Sequence, residues 1–133
     1  MVKLGGFTVD EIKNKISQKK YLEAFISVDN RLQHMLRQMI FYKFKVCKEL
    51  ESNFWELLYN RNIDRFVFLK DICFKFDLIT DPKLKDKITN FNKFRTRVIH
   101  EITTVEESEL IDMCRFGLNL INEIEPIVSG LRS

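Results

Sequence analysis

Residues 21–50, YLEAFISVDNRLQHMLRQMIFYKFKVCKEL, decide the fold. Phe25, Val28, Leu32, Met35, Met39, Val46 and Leu50 recur at steps of three, four and seven, the rhythm of one apolar helical face. No glycine or proline interrupts the chain from Tyr21 to Asn62. The spacing therefore predicts one long helix or two nearly collinear ones, with room for a break around Glu51 to Asn53. His34 falls roughly opposite the apolar stripe at ~100° per residue, and it reads as a solvated surface histidine.

The flanking segments read the same way. Thr8-Val-Asp-Glu11 is a capping box, so a short helix begins at Val9. Asn60-Arg-Asn62 reads as a turn, followed by a helix from Ile63 to Phe76. Its apolar residues run nearly all round the axis, which places it centrally in a bundle or at a subunit interface. Asp81-Pro82 supplies an N-cap and a first-turn proline for a helix with the seam Leu84, Ile88, Phe91, Val98 and Ile102. Thr104 and Glu107 form a second capping box, opening a last helix that packs through Leu110, Cys114, Leu118, Ile121 and Ile124. Gly117 near that seam admits a close helix contact, and Pro126 is expected to end or kink the helix. No segment alternates as a strand does. The expected class is all-α: an antiparallel bundle of about four to five helices, with residues 1–133 as one domain.

Composition narrows the function classes. Phenylalanine is abundant, at 12 residues, while glycine and proline are scarce, which fits a globular helical chain rather than a disordered one. No apolar run has the length of a membrane span, and the N-terminus lacks the apolar core of a signal peptide. Cys47, Cys73 and Cys114 are far apart and without a histidine at ligand spacing; they read as reduced, packed thiols in a cytoplasmic protein without a metal site. No cofactor is expected.

The net charge of +3 hides an asymmetry. Between residues 81 and 100, Lys83, Lys85, Lys87, Lys93, Arg95 and Arg97 oppose only Asp81 and Asp86, a local charge of +4. Residues 101–125 carry seven acids and one base, a net of −6. Antiparallel helices would pair much of this charge, and what is left of the basic face would suit RNA.

Within the basic segment lies Asn90-Phe-Asn-Lys-Phe-Arg-Thr-Arg-Val-Ile-His100, with Arg95 five residues before His100. A guanidinium neutralises phosphate with a planar fork of donors, and an imidazole moves protons near neutral pH. Together they suffice for metal-free chemistry on a phosphodiester. Lys93, Arg97, Thr96 and Asn92 are candidate backbone-binding residues around the pair. Arg95 also completes the apolar seam of its helix, where a leucine would be expected; a charge there needs a partner or a wet cleft. Without a catalytic role it would snorkel to solvent or reach an acid on the last helix. His100 would then be a surface histidine, and Arg97–Glu101 an ordinary ion pair.

The spacing resembles the Arg-x4–6-His motif of the HEPN superfamily, whose members are small, all-helical and often homodimeric endoribonucleases. The matching residues are Arg95 and His100, with Thr96 to Ile99 between them. The resemblance extends loosely over most of the chain. It implies a homodimer, RNA as substrate, and cleavage by attack of the 2′-hydroxyl, with His100 as general acid or base and Arg95 stabilising phosphoryl charge. It also implies a toxin or defence role and a nucleotidyltransferase-type antitoxin as a partner class. The family commonly has Asn, Asp or His directly after the arginine, where this chain has Thr96. Antitoxin-controlled members often carry a tyrosine two residues after the histidine; here it is Ile102, so control through that tyrosine is not available. The family also includes non-catalytic modules that dimerise and bind a protein or nucleotide, which is the alternative function.

One geometric condition follows. A five-residue step on a regular helix turns side chains ~140° apart, so Arg95 and His100 do not share a face. Either the helix is distorted near Val98-Ile99, or Arg95 curls round, or the site is assembled across a dimer.

Overall fold

The computed structural model describes residues 8–45, 49, 51–53, 56 and 64–132. Five α-helices are bounded within them: α1 (Val9–Ser17), α2 (Tyr21–Phe44), α3 (Arg65–Lys75), α4 (Pro82–His100) and α5 (Glu107–Arg132), with a 3-10 turn at Ile102–Thr104. No strand occurs among the described residues. The chain is an all-α bundle.

Side-chain caps set three of the helix starts. Thr8 accepts from the Glu11 N–H, Asp64 from Phe66 and Val67, and Asp81 from Lys83, with Pro82 following at a position that needs no donor. The stops are less conventional. Lys19, Lys45 and Asp77 all adopt positive φ, between 52° and 60°, where glycine is the usual occupant. After α3 the Leu78 N–H reaches Cys73 O at 2.9 Å and the Asp77 N–H reaches Phe74 O at 3.3 Å, a Schellman closure. Lys20 to Lys15 O and Lys19 to Ile16 O repeat it after α1.

These stops overturn part of the sequence reading. The helix from Tyr21 breaks at Lys45, not at Glu51 to Asn53, and residues 51–53 are themselves helical. The proposed turn at Asn60 to Asn62 lies outside the described residues. Asp64, not Ile63, opens the next element, because its carboxylate caps the helix. The last helix starts at Glu107 rather than Thr104, since Thr104 closes the 3-10 turn with its hydroxyl on Glu101 O. Pro126 does not end that helix, which continues to Arg132. Val128 beyond the proline is fully buried and Leu131 packs on the core, enough to offset the missing N–H.

Contacts along the helices give their directions. From Tyr21–Cys114 through Val28–Gly117 and Arg31–Glu125 to Tyr42–Arg132, α2 and α5 run parallel. Leu36–Cys73 and Phe44–Phe76 set α3 parallel to α2 as well. The motif helix α4 runs against both neighbours: Phe66–Phe91 and Phe74–Lys85 link it to α3, Lys87–Glu123 and Arg97–Glu109 to α5. The basic and acidic segments therefore do pair antiparallel.

The centre is aromatic. Phe25 stacks on Phe91 at 5.4 Å between centroids and meets Phe94 edge-on, while Phe66 lies 5.8 Å from Phe91. Gly117 lets α2 and α5 close on each other, since a Cβ there would stand 2.2 Å from Val28 Cγ1. No helix among the described residues is long and apolar enough to cross a membrane.

Candidate functional site

Arg95 lies where the seam rhythm of α4 puts it, buried to 7 % exposure. Its Nε donates to Asp29 Oδ1 at 2.9 Å and its Nη1 to Asp64 Oδ2 at 3.0 Å. The guanidinium also lies 5.3 Å from the centre of the Phe66 ring. Three helices thus converge on one cation. Its partners are on α2 and at the head of α3, not on the last helix.

The two carboxylates differ. Asp29 has a side chain only 15 % exposed, and Gln33 Nε2 donates to the same oxygen that Arg95 uses. Burial raises its affinity for a proton, and the charge and hydrogen bond of Arg95 offset this only in part. Asp64 is 44 % exposed and divides its oxygens: Oδ1 caps α3 through Phe66 and Val67, while Oδ2 holds Arg95. Burial pushes that carboxyl up as well, but the hydrogen bond and charge of Arg95, with the two backbone N–H groups, hold it below the usual carboxylate value.

His100 is exposed and is the last residue of α4. The helix is uninterrupted through it, so the distortion near Val98-Ile99 does not occur. Nor does Arg95 curl round, because its Nε and Nη1 are held by the two aspartates. Lys93, Thr96, Arg97 and His100 share one face at three- and four-residue steps; Lys93 and Thr96 are exposed and Arg97 is half-buried. The Thr96 hydroxyl turns back to Asn92 O at 2.9 Å. Half-buried Asn92 keeps its Oδ1 buried and, among the described residues, without a hydrogen-bond partner.

Arg97 is held by Glu109 at 2.7 Å and by Thr104 O at 3.0 Å, rather than by Glu101 as its spacing had suggested. Its hydrogen bond, with the Glu106 N–H, keeps the Glu109 carboxyl below its ordinary value, and Glu109 in turn keeps Arg97 above its own. Ile102 has left the seam: it sits in the 3-10 turn, 42 % exposed, and Ile99 beside His100 is 54 % exposed. His100 therefore stands between two outward apolar side chains.

His34 is not the solvated histidine its helical angle suggests. It is half-buried, and its Nδ1 lies 2.9 Å from Arg37 Nη2. Burial and the neighbouring Arg37 and Arg31 charges press its pKa down to about 4, so the ring stays neutral and accepts from Arg37.

Asp29 and Asp64 escaped the sequence reading. Asp29 did leave a signal: it lies four residues after Phe25 and three before Leu32, on the border of the apolar stripe. An acid there answers a base on the seam of another helix. Among the described residues no group of three or more His, Cys, Asp or Glu could hold a metal ion. No family model matches the chain, and no curated protein or solved structure does so either.

Proposed function

We propose that this chain is a HEPN-like, metal-independent endoribonuclease acting as a cytoplasmic homodimer, with each site built from two copies. The observation that carries this reading is the setting of His100. It is exposed at the end of α4, on the face that bears Lys93 and Arg97, and flanked by Ile99 and Ile102. An apolar margin suits a second copy, and two motifs brought together overcome the ~140° between Arg95 and His100 on one helix. In the reaction His100 moves a proton to or from the 2′-hydroxyl or the leaving oxygen, and Arg95 faces the phosphoryl charge. Lys93 would hold a flanking phosphate, and Arg97 would do so on giving up Glu109.

A specific observation favours a second reading, a non-catalytic dimerising or binding module. Arg95 already faces two carboxylates, so its charge is spent inside the protein unless one of them yields.

Labelled single-stranded RNA incubated in EDTA with the wild type and with His100→Ala separates the two. Cleavage by the wild type alone, leaving 2′,3′-cyclic phosphate and 5′-hydroxyl ends, supports the nuclease. A folded wild-type dimer that leaves the RNA intact gives the binding module instead.

A further inference from the structure

We infer that Asp64 is a displaceable clamp on Arg95: its Oδ2 occupies the place that a phosphodiester oxygen takes when RNA binds, so the free protein holds its own anion site closed. This rests on the nuclease reading for the identity of the ligand, though not for the clamp itself.

The geometry separates the roles of the two aspartates. Asp29 is the buried one, tied down by Gln33 and set against Nε, so it fixes the direction of the guanidinium. Asp64 sits at the open side, nearly half exposed, and meets Arg95 through one nitrogen. Exchange there hands one oxyanion's place on the guanidinium to another, so the cation never stands unpaired. Asp64 stays close, because its other oxygen still caps α3, but its side chain is 44 % exposed and water screens the added charge.

The divided oxygens of Asp64 make this exchange structurally mild. Oδ1 caps α3 and Oδ2 holds Arg95, so Oδ2 can let go while the cap stays in place. An asparagine at this position caps about as well as an aspartate. With its oxygen on Phe66 and Val67, its amide nitrogen would face Arg95, donor against donor, and the clamp would be open. Serine likewise keeps the cap through its hydroxyl and leaves nothing to hold Arg95.

The test uses the full chain and a 2′-O-methyl single-stranded RNA, which binds but cannot be cut, at low salt with anisotropy as readout. Asp64→Asn and Asp64→Ser are expected to bind this RNA at least about tenfold tighter than the wild type, the size of one charge-assisted hydrogen bond gained. The gain is expected to vanish when Arg95→Gln is added, and to be absent in Asp71→Asn, which removes an equally charged but exposed acid on the same helix. Unchanged or weaker binding by folded Asp64→Asn overturns the clamp, and so does a gain that survives Arg95→Gln or appears equally in Asp71→Asn. Turnover of unmodified RNA is followed beside it and decides the other question. Tighter binding without cleavage by any variant keeps the clamp and removes the nuclease; cleavage with no Asp64 effect does the reverse.

Discussion

Replacing Arg95 by alanine tests whether this cation belongs to the fold as well as to any reaction. The substitution leaves Asp29 mostly buried, with Gln33 as its remaining side-chain donor, and removes the charge that Asp64 faces. Stranding a buried carboxylate costs roughly 2–3 kcal/mol, and the half-exposed Asp64 contact adds at most about 1 kcal/mol after solvent screening. With about 1 kcal/mol for the packing of the aliphatic stem, the expected loss near neutral pH is about 4 kcal/mol, far more than a surface arginine would show. Its pH dependence identifies the cause. Asp29 already has a folded pKa above its ordinary 3.8, so its contribution is fully present below that value and is lost as pH rises through the folded pKa. Without Arg95, two influences that lower this pKa disappear, and the variant loses stability over a window that reaches further towards neutral. Asp64 behaves oppositely: its folded pKa is depressed, so its contribution is present above 3.8 and is lost as pH falls through the lower value; the variant lacks the part owed to Arg95 and keeps the part owed to the Phe66 and Val67 N–H groups. Both effects narrow the gap in acid, down to the packing loss of the aliphatic stem, about 1 kcal/mol. Urea unfolding followed by circular dichroism across roughly pH 2.5 to 7 measures it. A gap that is flat, widens towards acid, or stays below about 1 kcal/mol at neutral pH would refute the argument. Asp29→Asn added to Arg95→Ala is expected to recover most of the neutral-pH loss.

One further substitution and one labelling experiment probe the packing of the core. Gly117→Ala gains about 1 kcal/mol of helix propensity, but its methyl meets Val28 Cγ1 at 2.2 Å and Phe91 Cε2 at 3.2 Å; a fully buried β-branched neighbour cannot swing away, so the net is a loss of about 1–2 kcal/mol by thermal melting, and a stabilised variant would show that α2 and α5 part easily. Burial pushes the thiols of Cys114 and Cys73 up to about 11 and about 12, and their hydrogens face Tyr21 O and Leu36 O. In a Cys47→Ser background both should label with a disulfide reagent at least about a hundredfold slower in the native protein than in urea; fast native labelling would contradict their burial.

What was legible in the sequence follows the kind of signal each residue sends. The apolar stripe of α2 from Phe25 to Met39 and the Asp81-Pro82 start of α4 are periodic or local, and they stand in the structure as read, while Val46 and Leu50 lie outside the described residues. The stop at Lys45 was missed because a left-handed lysine has no letter that announces it, as glycine does, whereas the stop at Asp77 follows directly on the Phe76 at which the sequence ends that helix. Pro126 misled in the other direction: a local rule about donors gave way to the burial of Val128 further on. His34 was misplaced because helical angle measures direction from one stripe, and its environment depends on two arginines, Arg31 and Arg37, on the same helix. The partners of Arg95 were out of reach for a different reason. Ion pairs across 66 and 31 residues depend on how three helices meet, and only the need for a partner can be read locally.

That need shapes the functional argument. Fixing a cation on the seam of α4 forces acids into two neighbouring helices, and those acids quench the charge that phosphodiester chemistry would use. A fold that wanted the arginine only as a core strut would do as well with two buried carboxylates. Here one partner, Asp29, is buried and held by Gln33, while the other, Asp64, is half open to water and has its second oxygen occupied by the α3 cap. The asymmetry makes Arg95 exchangeable on one side only, and it is the side from which an anion in solution can arrive. His100 lies ~140° further round the same uninterrupted helix, so whatever binds at Arg95 meets a histidine from a second copy or none at all. Dimer formation and release of Asp64 are then two separate conditions on the same reaction, and a chain that cuts RNA has to meet both.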